Sequence, residues 1–412
     1  MVSSVTTPKT ASQADYARVE EQWQREQQQE SRRRLVWTLV GAAVLAVYPL
    51  IDSFFNIGWL GEWIGILIFV LLAMGLNIVV GYAGLLDLGY VAFFVIGAYT
   101  NAFLTSPSSV FVQKGWVPEF LQSFWPAMAV SWVSAAVFGV LLGAPTLRLR
   151  GDYLAIVTLG FGEIVPDFFT NAQDVTRGPR GIGQIAGPPT IPLPGGNEIS
   201  FQTGDQWNWF WLILIVGLFS LFLITRLYVS RLGRAWQAIR EDEIAAASMG
   251  INLVATKLLA FALGASFSGF AGSIYAGYIG VVYPDQFQFS LSIIILSMVI
   301  LGGIGNVYGA IAGGLIIGSF DRILARALNT PLHWLGDQLG WEFLQTHSLE
   351  QDRFLIFGLA LVLIMLLRPG GLFPSARRKA ELQPDDEETF VQEDQPLYDI
   401  QAEQEPMQEG RA

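Results

Sequence analysis

The chain has 412 residues, of which 52% are hydrophobic and only 14% are charged, a composition far from that of an average soluble domain. It has no cysteine and two histidines, which excludes a disulfide framework, a thiolate metal site and a cysteine nucleophile. The net charge is −11, but residues 380–412 hold eleven acidic side chains against one arginine. The composition therefore predicts an integral membrane protein with an acidic tail. No motif predicts a cofactor, a metal or a nucleic-acid partner.

The distribution of polar residues divides the chain into three segments. Residues 1–34 are rich in Gln and Glu and predict a polar cytoplasmic tail. Residues 35–375 carry the apolar runs and form the transmembrane domain, whereas 376–412 predict a disordered, acidic cytoplasmic tail. The first apolar run begins at Leu35, has full span length and lacks a small-residue cleavage site. We therefore do not expect a cleaved signal peptide.

The apolar runs give the number of membrane crossings. A helix needs roughly 20 apolar residues to cross a hydrocarbon core of about 30 Å. By that length, the candidate spans lie near 35–52, 62–80, 88–104, 126–146, 152–169, 208–226, 258–281 and 353–367. We predict an all-α, polytopic helical bundle of about 8–10 spans.

The stretch 290–320 is also apolar, but it is interrupted at Gly302, Gly303, Gly305 and Asn306. Each flank of about 12 to 14 residues is too short to be a comfortable span. We predict that the stretch turns back as two half-helices or two short spans.

Positive charge, which collects on the cytoplasmic side of membrane proteins, supports this turn. If the stretch crossed only once, the basic run at 377–379 would end outside. Both termini are therefore predicted to be cytoplasmic. The residues that face inside in this count are Arg32, Arg33, Arg34, Arg148, Arg150 and the basic side chains of the loop 227–257.

Two segments are assigned to the outer side. Residues 171–207 are rich in Gly and Pro, which makes a membrane span there unfavourable, and we expect a loop that covers the external face. Residues 321–352 contain Trp334, Trp341 and scattered charges, a pattern typical of a short amphipathic helix lying at the membrane interface.

The first motif with chemical content is GYAGLLDLGY at 81–90, which joins two apolar helices at membrane depth or at its cytoplasmic edge. An aspartate in mid-membrane costs roughly 3 kcal/mol, so Asp87 needs local compensation. We expect Asp87 to cap the following helix and to accept from its free N–H groups. Non-helical backbone at this depth is tolerated only inside protein or beside water. Gly84, Asp87 and Gly89 therefore line the translocation path or form a capped helix break without substrate contact.

The second motif is LGGIGNVYG at 301–309, which contains Gly302, Gly303, Gly305 and Asn306. It does not predict a dinucleotide site, because no βαβ pattern surrounds it. Glycines at this spacing allow close helix approach or break a helix near the bilayer midplane. Two Gly-rich breaks, one in each half, suggest an internal duplication, and we include the second break in the candidate translocation path.

The third motif lies in the loop 227–257, where three alanines at 245–247 are followed by Gly250. A helix of small residues can enter a partner's groove, and charged side chains such as Arg240 and Glu243 would form its polar rim. The alternative is an amphipathic loop helix exposed to solvent.

Glu163 is the most informative ionisable residue inside a span, since it lies about eleven residues into the run that begins at Asp152. We expect it to face the bundle interior or a polar cavity. It either pairs with another residue of the bundle or contributes to a proton relay or a substrate-ammonium contact. Asp152 and Asp167 lie near the ends of the run, where the interface explains them.

These motifs together resemble the LivM type of branched-chain amino-acid ABC permease, over about residues 60–375. The resemblance rests on five segments, which are GYAGLLDLGYVAFFVIGAYT (81–100), RGDYLAIVTLGFGEIV (150–165), AIREDEIAAASMGINLVATKLLAFALGA (238–265), SLSIIILSMVILGGIGNVYGAIAGG (290–314) and LRPGGLFP (367–374). It implies an importer with a second, LivH-like permease, two ABC ATPase subunits and an external solute-binding protein.

The resemblance also implies roles for particular residues. Glu243, Ala245, Ala246 and Gly250 would form the loop that docks to the ATPase, with Arg240 beside them. Related urea permeases usually carry Ser-Leu-Gly-His where this chain has Asp87-Leu88-Gly89-Tyr90, which favours an amino acid over urea or a short-chain amide. The chain has no P-loop, so ATP hydrolysis is left to partners and the chain itself is predicted not to be an enzyme.

Two other classes of protein remain open on the residues alone. Gly-rich breaks and intramembrane acids also occur in secondary amino-acid transporters. A membrane enzyme lacks support, because no nucleophile, base and orienting group occur together in one group of spans. The predicted location is the bacterial plasma membrane, with amino-acid substrate and lipid as the remaining partners.

Overall fold

The computed structural model describes residues 40–41, 43–146, 151–192, 198–202, 204–340, 352–368 and 370–373. The two predicted tails, Arg148, Arg150 and residues 341–351 lie outside this part of the chain. The chain divides into two compact units, residues 1–60 and 61–412. In the first unit, the apolar helix α1 (Ala43–Phe55) overlaps the expected span at 35–52, of which residues 35–39 and 42 lie outside the described part. Its Asp52 carboxylate accepts hydrogen bonds from the Tyr48 hydroxyl and the Trp59 backbone nitrogen.

The rest of the described chain is built mainly of helices. In chain order they are α2 (Leu60–Leu76), α3 (Val91–Thr105), α4 (Val110–Gln113), α5 (Phe124–Thr146), α6 (Asp152–Asn171), α7 (Gln173–Thr176), α8 (Gln206–Val229), α9 (Arg231–Glu241), α10 (Glu243–Ser248), α11 (Leu253–Ile279), α12 (Phe289–Gly302), α13 (Val307–Ser319), α14 (Ala325–Leu339) and α15 (Arg353–Leu367). A π-helical turn, Asn77–Tyr82, extends α2, and another, Phe320–Leu324, joins α13 to α14.

Seven helices of the described chain are long and apolar enough to cross a membrane, and α1 and α15 are shorter apolar helices. Sheet structure in the same residues is confined to two-residue strands. They are β1 (Ile182–Gly183), β2 (Ile191–Pro192), β3 (Glu198–Ile199) and β4 (Val281–Val282), paired antiparallel as β1 with β4 and β2 with β3. The structure confirms the prediction of a polytopic helical membrane bundle.

Helix α11 lies at the centre of the bundle and packs against α3 and α5. The crossings use small residues, because a methyl group added at Gly97 of α3 would overlap the backbone of Gly269 on α11. At Gly139 of α5, an added methyl would lie 2.7 Å from the Ala265 side chain. Close backbone approach through small residues is the usual basis of helix association in lipid, where apolar burial alone gives little net stabilisation.

The Gly-rich stretch 290–320 turns back, as predicted from the charge distribution. Gly302 lies against Gly309, and Met298, one turn earlier on α12, lies against Gly313, one turn later on α13. This pairing means that α12 and α13 run antiparallel as a hairpin.

Two expectations about this region were wrong. The second arm of the hairpin is not short, because α13 continues through the π-helical turn into α14 without a helix end. The amphipathic segment expected at 321–352 is therefore, as far as Gly340, part of this long helix. Arg322 and Arg326 near its middle form ion pairs with Glu62 of α2 at 3.5 and 2.9 Å. These pairs favour continuation of the helix over a separate surface segment.

The two ends of the bundle differ in structure. At one end, called the strand end, the Gly/Pro-rich loop 171–207 forms short turns and strands over α3 and α11. The Ser106 hydroxyl after α3 donates to the Gly183 carbonyl, and the Ile185 nitrogen donates to the Gly280 carbonyl at 3.2 Å. The prediction that this segment does not span is confirmed. Helix α11 begins at the opposite end, called the break end, next to α9 and α10.

Candidate site at the two helix breaks

The first break, residues 83–90, enters the bundle from the break end. It starts at Gly84, whose φ of +70° a side chain would disfavour and against which the Arg240 side chain of α9 packs. It ends at Gly89, where any methyl group would overlap the Thr158 carbonyl of α6. Glycine is therefore required at both ends of the break, first for backbone conformation and then for close packing.

The first break reaches deep into the protein, as the motif predicted. The Tyr90 hydroxyl donates to the carbonyl of Gly264, near the middle of the 27-residue α11, at 2.9 Å. The Val91 nitrogen, the first of α3, donates to the Ser292 hydroxyl of α12 at 3.1 Å. Helix α3 thus begins inside the bundle, where protein groups satisfy the non-helical backbone.

Asp87 does not cap α3 in the way expected from the sequence. Its Oδ1 atom accepts from the Gly89 nitrogen at 2.9 Å, a local turn that ends before the helix begins. Ser292 on a different helix supplies the cap, and the Thr158 hydroxyl accepts from the Leu88 nitrogen at 3.0 Å. The second carboxylate oxygen of Asp87 is buried without a hydrogen-bond partner among the described residues.

A small cavity of about 10 Å³ lies beside Asp87. Its lining includes Gly89, Phe93, Thr146, Thr158 and Phe261. The cavity has room for about one water molecule, which the free carboxylate oxygen is suited to bind. In this conformation, therefore, the surroundings of Asp87 do not accommodate an amino acid.

The second break, residues 303–306, lies at the break end of the bundle, against Arg240 of α9. Gly303 and Gly305 have φ values of +118° and +86°, which favour glycine. The Asn306 side-chain oxygen caps α13 by accepting from the Tyr308 nitrogen at 3.1 Å. This break is accordingly a tight turn between two long helices.

Residues 370–373 (GGLF), part of the LRPGGLFP motif, complete the second break. The nitrogens of Leu372 and Phe373 donate to the carbonyls of Leu301 and Gly302 at 2.9 Å each. The Asn306 amide donates in turn to the Phe373 carbonyl at 3.0 Å. These contacts satisfy carbonyl groups that the end of α12 leaves without helical partners.

The two breaks and the loop 227–257 meet at one junction. The Asn77 side-chain oxygen, in the π-helical turn, accepts from the Gly305 nitrogen at 3.0 Å. The Arg240 guanidinium donates to the Gly81 carbonyl and also lies against Gly305. The sequence analysis missed Asn77, although one amide in a long apolar run is a signal of a polar contact inside a bundle.

The predicted docking loop forms two helices, α9 and α10. The Asp242 carboxylate caps α10 by accepting from the nitrogens of Ile244 and Ala245 at 2.7 and 3.0 Å. Glu243 pairs with the nearly buried Lys257 of α11 at 2.6 Å. Helix α10 is therefore capped at its first turn and held against α11.

Only part of the predicted docking set lies at the surface. Gly250, at a φ of +84°, ends the α10 turn with open space around its α-carbon, and Ala245 is exposed. Ala246 is buried against the chain's own bundle, so it supports α10 and does not offer a contact surface. Ile244 and Met249 are 76% and 84% exposed, which adds two apolar contacts that the motif did not indicate.

Glu163 lies apart from this junction, and the prediction that it faces the interior of this bundle was wrong, whereas the alternative, a polar cavity, stays a prediction. It is exposed on the outer face of α6, and no hydrogen bond or ion pair joins it to another described residue. Ile164 and Phe168 on the same face are 61% and 63% exposed. The buried face of α6 carries Leu154 and Thr158 instead. Burial against α3 and α5 thus determines which face of α6 points inward, and Glu163 lies opposite.

The part of the chain that forms the helical bundle is similar to known proteins. The family model described as the permease component of branched-chain amino acid transport systems matches residues 63–367. The high-affinity branched-chain amino acid transport system permease protein LivM of Escherichia coli is 38% identical over 77% of this chain and 70% of its own length.

More distant relatives belong to the same transport systems. Permease protein LivH of Escherichia coli is 24% identical over 64% of this chain and 83% of its own length. Permease protein BraD of Pseudomonas aeruginosa is 27% identical over 74% of this chain and 91% of its own length. No solved structure matches the chain. With its helical bundle, its two glycine breaks and these matches, the chain belongs to the family of permease components of branched-chain amino acid transport systems.

Proposed function

We propose that the chain is a permease subunit of an ATP-driven importer for amino acids, of the branched-chain or a broader neutral and polar set, in a bacterial plasma membrane. It forms half of the translocation path beside a second, LivH-like permease. Two ABC ATPase subunits bind its α9–α10 segment, and an external solute-binding protein delivers the substrate. Both termini and the break end face the cytoplasm in this arrangement.

The exposed surface of α10 carries the proposal. The exposed tip of α10 is apolar and consists of Ile244, Ala245 and Met249. The preceding helix, α9, is rich in arginine. An exposed apolar tip on the aqueous side of a membrane protein indicates a protein contact. The preceding helix, α9, reaches both breaks through Arg240, so a partner on α10 is mechanically close to the candidate path.

The outer face of α6 supports pairing with a second permease. Glu163 lies near the middle of the 20-residue α6, and a carboxylate that faces lipid at that depth costs roughly 3 kcal/mol. A second permease with a water-filled path between the subunits would remove this cost. We propose that Glu163, together with Gly84, Asp87, Gly89 and the second break, lies along or beside that path.

The substrate proposal follows the relatives, whose names state branched-chain amino acid transport. A urea or short-chain amide permease is the alternative within the ABC class, and Asp87-Leu88-Gly89-Tyr90 argues against it. A secondary amino-acid transporter is the alternative outside the class. The apolar tip of α10 favours the ABC importer, because a transporter driven by an ion gradient needs no cytoplasmic motor.

Uptake in a deletion strain tests the proposal. Cells that lack this subunit should lose uptake of radiolabelled leucine, isoleucine and valine but keep uptake of urea, and the intact gene should restore it. In proteoliposomes, uptake should require ATP, the ATPase subunits and the binding protein. If the chain alone moved an amino acid under a proton or sodium gradient, the importer proposal would be wrong.

A further inference from the structure

We infer that the Arg240 side chain is the positioning residue that couples movement of the ATPase-docking segment to both helix breaks at once. The inference rests on the proposed function, since it assigns a role to a contact between the docking segment and the candidate path. It concerns a single side chain whose neighbours come from two distant parts of the sequence, around Gly81 to Gly84 and at Gly305.

The position of Arg240 provides the first argument. Its aliphatic stem packs on Gly84 in the first break, where an added methyl group would lie 2.8 Å from its Cγ atom. Its guanidinium donates to the Gly81 carbonyl and lies 2.7 Å from where a methyl group on Gly305 would be. Glycine at 84 and 305 thus leaves the space that this side chain occupies.

The local backbone provides the second argument. Gly81 lies in the π-helical turn Asn77–Tyr82, and such turns carry a backbone carbonyl outside the regular α-helical pattern. Arg240 donates to this turn, and Asn77 joins the same turn to Gly305. π-Helical turns are frequent at functional sites, and this one is bonded to a side chain of α9. The junction is therefore built to rearrange when Arg240 moves.

An unsatisfied group supports a second arrangement of this junction. The Asn77 amide nitrogen is buried and has no hydrogen-bond partner among the described residues, while its oxygen is used. A buried donor without an acceptor costs free energy, which a shift of the break could recover by presenting a carbonyl. A pull on α9 would withdraw the guanidinium from Gly81 and leave Asn77 and Gly305 free to adopt that shift.

Two contacts of α10 allow its displacement to reach the rest of the chain. Asp242 lies between the two helices and caps α10, whereas Glu243 ties α10 to Lys257 at the start of α11. A displacement of α10 is therefore transmitted to α9 and along α11. Of these two routes, only α9 carries a side chain into both breaks.

Variants at Arg240 in the complete importer test the inference. Arg240→Ala should lower leucine uptake at least about tenfold, because a charged hydrogen bond is lost, while the purified complex keeps its ATPase subunits. Arg240→Lys keeps the positive charge, and the lysine side chain reaches Gly81 but cannot contact both breaks. Uptake by this variant should therefore lie between that of Arg240→Ala and that of the unaltered chain. Arg226→Ala removes the same charge from the exposed face of α8, outside the docking segment, and should transport normally.

A distance measurement separates coupling from a structural role. The chain has no cysteine, so cysteines at Leu86 in the first break and at exposed Arg231 on α9 can carry spin labels without background. With Arg240 present, the distance between labels should be single and narrow in the complex. With Arg240→Ala, it should broaden, although the melting temperature stays near that of Arg226→Ala.

Three results would overturn the inference about Arg240. Normal uptake by Arg240→Ala, or an unchanged distance distribution with lost uptake, would overturn the inference. Loss of the ATPase subunits from the Arg240→Ala complex would also overturn it and make Arg240 part of the docking surface. If the unaltered chain failed to retain ATPase subunits, the proposed function itself would fail, which is a different result from any of these.

Discussion

The side-chain oxygen of Asn77 accepts a 3.0 Å hydrogen bond from the backbone nitrogen of Gly305, which lies 228 positions further along the chain. This contact joins the helix that precedes the first break to the turn that forms the second. An acceptor is needed there because Gly305 is buried and cannot donate to water. At this junction, one amide group thus connects the two halves of the protein.

Replacement of Asn77 by alanine should destabilise the protein. The change leaves the Gly305 nitrogen buried without an acceptor, which costs about 1–3 kcal/mol. Thermal unfolding in detergent should show a lower Tm, and uptake in the complex should fall. Asn171→Ala, at an exposed position at the end of α6, is the matched control and should unfold like the unaltered chain. An equal Tm for both variants would contradict the role of this hydrogen bond.

Gly97→Ala should be poorly tolerated, because the added methyl group overlaps the Gly269 backbone where α3 crosses α11. Overpacking of this kind costs about 1–3 kcal/mol or more. Gly217→Ala on α8 is the control, since its methyl group meets open space, and higher helix propensity should leave its stability equal or about 1 kcal/mol greater. Fluorescence-detected gel filtration over a temperature series would compare the two. Equal melting curves for the two variants would contradict this prediction and would mean that α3 and α11 can shift apart enough to accommodate the added methyl group.

Gly250→Trp should prevent docking of the ATPase without preventing folding of the chain. Both Gly250 and Gly115 have positive φ and open space for a side chain, but Gly250 lies at the α10 tip and Gly115 follows α4. Backbone strain of about 1–2 kcal/mol is therefore common to both substitutions. Copurification should lose the ATPase with Gly250→Trp and retain it with Gly115→Trp. Retention by both would argue against the assigned role of the α10 tip.

Glu243→Gln should loosen α10, because Lys257 is nearly buried and loses its charged partner at 2.6 Å. Leaving such a charge unpaired costs about 1–3 kcal/mol. Limited proteolysis of the loop should become faster. The double variant Glu243→Gln with Lys257→Met removes the stranded charge and should restore resistance. Faster cleavage in the double variant than in Glu243→Gln would show that Lys257 has another role.

Hydrophobic run length and glycine position were sufficient to predict the helical bundle and the two interruptions, at 81–90 and at 302–306. These features depend on local sequence, since a span needs a minimum apolar length and a turn needs residues that tolerate positive φ. The charge distribution additionally predicted the reversal of α12 and α13.

The misplaced residues share one physical cause. Asp87 and Glu163 were assigned from the local sequence and Ala246 from a family resemblance, but the surroundings of all three are set by tertiary packing. Ser292 took the capping role expected of Asp87, and packing of α6 turned Glu163 outward. Asn77 was overlooked because its partner, Gly305, belongs to the other half of the chain. Helix faces are fixed by tertiary packing, which periodicity in a wholly apolar run does not reveal.

The segment that completes the second break has a consequence for biogenesis. Leu372 and Phe373 donate to carbonyls of Leu301 and Gly302, which leave the ribosome much earlier. Until those donors are synthesised, the end of α12 at the second break has unsatisfied acceptors. Completion of this turn therefore waits for residues 372 and 373, and a chain that ends before them leaves the carbonyls of Leu301 and Gly302 without these partners.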